Sequence, residues 1–138
     1  MRILVSLLTC LALLLFYAPA GAVVGPQDRV KITNVRTAEP VVRGVENEFT
    51  VEVEYNLDSE EEGEINLGFN SQKPGAFKME DSFIIKKGSG TATLKAKVIP
   101  VDWGQRAKFT ALVNLSKYPH DFRWNPITRD KQEIVVGQ

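Results

Sequence analysis

The stretch Glu48-Phe49-Thr50-Val51-Glu52-Val53-Glu54-Tyr55-Asn56-Leu57 decides the fold class. Phe49, Val51, Val53, Tyr55 and Leu57 alternate with Thr50, Glu52, Glu54 and Asn56. Successive side chains of a strand point to opposite faces, so this run has one apolar face and one polar face. A half-buried antiparallel strand reads this way and a helix does not. The rest of the chain then has to cover the apolar face.

Downstream, Asp58-Ser59-Glu60-Glu61-Glu62-Gly63 reads as a polar turn. Glu64 to Asn70 alternates again with Ile65, Leu67 and Phe69 inward, which predicts an antiparallel hairpin with the first run. Upstream, Val30-Lys31-Ile32 and Val35 predict a first strand with a bulge at Thr33-Asn34. After the turn signal Lys73-Pro74-Gly75 come short strands at Phe77–Met79 and Ser82–Ile85, then a tight turn at Lys86-Lys87-Gly88-Ser89-Gly90. Thr91 to Val98 alternates with Ala92, Leu94, Ala96 and Val98 inward, and Pro100 closes it. Ala107 to Leu115 follows with Phe109, Ala111, Val113 and Leu115 on one side, and the last strand is expected at Gln132–Val136. No apolar pattern of helical period persists for three turns. The expectation is an all-β domain, a single antiparallel immunoglobulin-like β-sandwich of about seven strands.

The first 22 residues are expected to lie outside that domain. Met1-Arg2 carries one positive charge, Ile3 to Tyr17 is almost continuously apolar, and Ala18-Pro19-Ala20-Gly21-Ala22 supplies small residues. This is the layout of a secretory signal peptide cleaved after Ala22. The apolar run is short of the ~20 residues a spanning helix needs, so no stable membrane anchor is expected. Residues 23–29 then form a leader and residues 30–137 the domain. The location is exported, either periplasmic or secreted.

Cys10, the one cysteine, leaves with the signal peptide. A cysteine-free exported domain fits a bacterial source, since small exported domains elsewhere are usually disulfide-bonded. Thiolate ligands and a cysteine nucleophile are excluded with it. The 17 basic and 17 acidic residues become sixteen against seventeen once Arg2 is gone, a balance that attracts no nucleic acid.

The layout resembles bacterial immunoglobulin-like and fibronectin type III-like domains, including the CARDB type associated with cell adhesion. The resemblance runs over Val30–Val35, Gly44 ahead of Phe49-Thr50-Val51-Glu52-Val53, Lys87-Gly88-Ser89-Gly90-Thr91 ahead of Leu94, and Phe109-Thr110-Ala111. It implies adhesion, binding or spacing roles and no shared catalytic residues.

Three features bear on chemistry. The acidic run Asp58 to Glu64 lacks the offsets of a calcium loop and reads as a solvated tip that discourages edge association. His120, the one histidine, has no Ser-His-Asp order around it and cannot build a histidine metal site alone. No catalytic residue, metal ligand or cofactor is therefore assigned. Tyr118-Pro119-His120-Asp121-Phe122-Arg123-Trp124-Asn125-Pro126 is different: it packs aromatics and an arginine into a connection longer than a hairpin needs. Such loops are enriched in binding function. Tyr118, His120, Phe122, Arg123 and Trp124 are the candidate partner-binding residues, unless Phe122 and Trp124 fold back as a core plug. The expected activity is non-catalytic binding of a protein partner in a surface or periplasmic assembly. The alternative is a small carbohydrate-binding module with Tyr118, Trp124 and Trp103 as platform.

Overall fold

The computed structural model describes residues 25–70, 78–79, 83–101, 108–120 and 125–137. The signal-peptide reading, the turn at Lys73-Pro74-Gly75 and the platform candidate Trp103 lie outside the described residues. Within them the chain is all strand and connection: β1 (Arg29–Thr37), β2 (Asn47–Phe69), β3 (Lys78–Met79), β4 (Phe83–Val98), β5 (Thr110–Lys117) and β6 (Thr128–Glu133). They form one antiparallel sheet in the order β3-β4-β2-β5-β6, with β1 also paired to β2.

The organising stretch is the first arm of a 23-residue strand. The expected turn at 58–63 is not a turn: β2 runs through it, and β4 likewise runs through Lys86–Gly90. Both strands nevertheless change direction there. Phe49 and Phe69 stand twenty residues apart on β2, about 66 Å along a straight strand. Their ring centroids are 5.0 Å apart. The strand therefore doubles back, with its arms facing each other across the core instead of pairing as the expected hairpin. β1 pairs with the first arm, β5 with the second, and β4 follows β2 through both. The sheet is curled into a half-barrel, as happens where bulged strands pass from one layer to the next.

The bend has a definite construction. Leu57 pairs with Gly88 and Glu62 with Lys86, so four residues of β2 lie opposite Lys87 alone. Gly88 takes φ +122°, a conformation an L side chain resists. Residues just before β1 close the outside. The Asp28 carboxylate accepts from the Asp58 and Ser59 amides at 2.8 and 3.0 Å. Asp58 accepts in turn from the Gln27 amide at 3.1 Å, and the Asn56 side chain donates to the Gln27 carbonyl at 2.6 Å. Gln27 and Asp28, expected in a loose leader, are thus fixed to β2. The bulge expected in β1 is present, as a register shift between Ile32 and Asn34.

Burial raises the Asp28 carboxyl, but the Asp58 and Ser59 amides, the Ser59 side chain and the Lys87 charge outweigh it and hold the group below its ordinary 3.8. A carboxyl lowered on folding adds stability above its unfolded pKa and loses it as the pH falls through the folded value. Asp28→Asn should therefore cost about 1 kcal/mol at neutral pH, where charged acceptors are the stronger ones. The gap should close in urea titrations run below the ordinary carboxylate range. A gap that persists in acid would exclude this role for the charge.

The core lies inside the curl. It takes Phe49, Val51, Val53 and Leu57 from the first arm and Ile65, Leu67 and Phe69 from the second. Ile85, Ala92, Leu94, Ala96 and Val98 of β4 and Ala111, Val113 and Leu115 of β5 join it, with Val30 and Ile32 from β1 and Val41 and Phe109 from the connections. Phe49, Phe69 and Phe109 pack ring to ring at 5.0 to 5.6 Å. Tyr55 fills the remaining odd position beside Gly90, where an added Cβ would come within 2.5 Å of the tyrosine oxygen. The final strand differs from expectation: β6 is Thr128–Glu133, not Gln132–Val136. Its polar sequence shows little alternation because it is a largely exposed edge strand, paired among the described strands with β5 alone.

Candidate functional site

The connection between β5 and β6 is the predicted site. Residues 121–124 lie outside the described residues, so Phe122, Arg123 and Trp124 have no described position. Tyr118 and His120 do. The Tyr118 amide donates to the Glu62 carbonyl at 3.2 Å, and beyond the loop the Ile127 amide donates to the Leu115 carbonyl at 2.7 Å. Both ends of the connection are thus tied to the second arm of β2 and its neighbour β5.

His120 reaches back onto the sheet, where its Nε2 meets the Glu64 carboxylate. The Tyr118 and His120 rings sit edge to face with centroids 6.2 Å apart. Glu64 occupies an outward position of β2, directly opposite Ser116 of β5. An outward strand position is normally wet. Here the Glu64 side chain is only 12% exposed, Ser116 is 1% exposed and Asn114 is 6% exposed. This outer face is covered. His120 lies on Glu64, and Arg129 of β6 donates from Nε to the Asn114 side-chain oxygen at 2.5 Å. The Ser116 hydroxyl is buried with no hydrogen-bond partner among the described residues. Sealed from solvent, it offers no nucleophile to a substrate despite its place opposite Glu64.

Beside this covered face the bend forms a charged ledge. Lys86 pairs with Glu62 at 3.4 Å, Lys87 with Glu61 at 3.7 Å, and Lys117 with Glu60 at 3.6 Å. These are exposed pairs, worth at most about 1 kcal/mol each and readily exchanged for a ligand's charges. Together with Tyr118, Glu60–Glu62 and Lys86–Lys87 line an open depression of about 530 Å³. The acidic run is therefore not a free hairpin tip but one wall of the depression where the loop begins. Among the described residues no group of three or more His, Cys, Asp or Glu side chains is placed to hold a metal.

The sequence kept three stretches apart that the fold joins: the acidic run, the Lys86-Lys87 pair and the start of the aromatic loop. Glu60–Glu62 and Lys86–Lys87 meet because β2 and β4 bend together, and Lys117 arrives through the pairing of Gly63 with it. One signal was available. Asn114 and Ser116 sit at outward positions on either side of Leu115, and small polar residues there suit a face that is covered. Three further lysines lie away from the ledge: Lys108 pairs with Glu133 at 2.9 Å, and Lys95 and Lys97 lie at the far end of β4.

No family model matches the chain, and no curated protein matches it.

Proposed function

We propose that the chain is an exported, non-catalytic binding domain with an immunoglobulin-like two-layer plan. On this reading it contacts a protein partner through the Tyr118–Trp124 connection and the ledge beside it. The observation that carries the reading is the placement of Tyr118 on an open ledge of exchangeable Lys–Glu pairs, with both ends of the connection anchored to the sheet. A connection anchored to the sheet at both ends and carrying aromatic and arginine residues has the composition in which binding hot spots are enriched. Facing arms with inward alternation support the two-layer plan, and the apolar Ile3–Tyr17 run with small residues up to Ala22 supports export.

The test is capture by the folded domain from extract of its own host, with Phe122→Ala, Arg123→Ala and Trp124→Ala compared against wild type. Loss of at least tenfold in affinity for the captured protein is expected for the combined variant, as for a truncated hot spot. Unchanged capture by a variant that still folds removes the loop from the interface. Binding that appears on a glycan array instead would move the assignment to a carbohydrate-binding module.

A further inference from the structure

The ledge is made of bend residues, and the bend is closed from outside by the segment that precedes β1. Four hydrogen bonds join them: the two Asp58 and Ser59 amides to Asp28, the Gln27 amide to Asp58, and the Asn56 side chain to the Gln27 carbonyl. Asn56 is itself held to β4, since the Ser89 hydroxyl donates to its side-chain oxygen at 2.7 Å. Inside the bend the register is irregular, so residues 58–61 have no partners in the β2–β4 ladder to hold them. The chain there is also rich in charged side chains, with no apolar residue between Leu57 and Ile65 to anchor it.

We propose that Gln27–Asp28 is a strap that sets the shape of the ledge, so that detaching it loosens Glu60–Glu62 and Lys86–Lys87 while the core stays folded. As regulation of the binding surface this rests on the function proposed above; as a property of the bend it does not. The physical basis is the uneven distribution of anchoring. The arms on either side are held by the Phe49, Phe69 and Phe109 cluster and by continuous ladders, whereas residues 58–61 lack ladder partners and are held by the hydrogen bonds to Asp28 and Gln27 and by exposed ion pairs. Segments with few buried apolar contacts open independently of the global unfolding reaction. Lys87 couples the two parts, since it attracts the Asp28 carboxylate and pairs with Glu61 on the ledge. Arg29 at the start of β1 and Asp58 on β2 are the other charged neighbours of Asp28, and Arg29 is turned to Glu54 at 3.6 Å.

Amide hydrogen exchange on the intact chain without any ligand tests this. Asp28→Asn should speed exchange over residues 58–62 and 86–90 by roughly tenfold, the loss of about one good hydrogen bond. Exchange in Phe49–Val53 and Leu94–Val98 should stay at the wild-type rate. Gln27→Ala is the control, because Gln27 uses only its main chain and the exchange pattern should not change. Bend exchange unchanged in Asp28→Asn, or raised equally in bend and core, would overturn the proposal. Since no partner enters the measurement, either result leaves the proposed binding function to its own test.

Discussion

Val53→Asp is expected to leave no folded protein. Val53 is 1% exposed and sits mid-sheet, between Ile32 of β1 and Ala92 of β4. Both neighbours are buried and neither offers a hydrogen bond from its side chain. An unpaired carboxylate there costs several kcal/mol, or forces the strand to turn its apolar face outward. Either outcome consumes most of the ~5–15 kcal/mol that holds a domain of this size. Circular dichroism and urea titration should show an unfolded or aggregated chain. A soluble variant with a cooperative transition would overturn the inward assignment of the whole first arm. One residue along, Glu54→Ala should change stability by well under 1 kcal/mol, because it removes only an exposed pair with Arg29.

That contrast between neighbours shows what the sequence could reveal. Alternation alone placed Phe49, Val51, Val53 and Leu57 inside, and likewise Leu94, Ala96 and Val98. All-β, antiparallel and a single core follow from it. The bends were misread as turns because Asp58-Ser59-Glu60-Glu61-Glu62 and Lys86-Lys87-Gly88-Ser89-Gly90 are made of residues that strands disfavour. What keeps them in strands is the β2–β4 pairing on either side of Asp58–Glu61 and the Asp28 carboxylate, both long-range facts. A trace of continuity was nevertheless present. Phe49 through Leu57 and Gly63 through Phe69 place their inward residues at odd positions throughout, so β2 never changes phase across the acidic run. In β4 the inward set moves from Ile85 to Ala92, Leu94 and Ala96, a change of phase that marks the irregular pairing around Gly88. The candidate site was half legible for a similar reason. Its aromatic loop stands out in composition, but the ledge beside it exists only because two strands bend at the same place.

A double-mutant cycle on Phe49 and Phe69 tests that bend directly. Phe49→Ala alone should cost about 3–5 kcal/mol, since the ring is fully buried between Phe69 and Phe109. So large a loss risks unfolding when combined with a second truncation, so leucine replacements serve for the cycle. The rings meet at 5.0 Å with their planes 50° apart, an arrangement worth about 0.5–1.5 kcal/mol beyond the area it buries. Phe49→Leu and Phe69→Leu should therefore be non-additive by an amount in that range, as side chains in contact are. In a straight β2 the two positions would be independent, because sites separated by more than about 10 Å with no shared partner add. Additive losses would mean that the two ends of β2 do not meet. Coupling between residues twenty positions apart on one strand has a single geometric source here: the strand turns back at Asp58–Glu61, and both arms close on the same three rings.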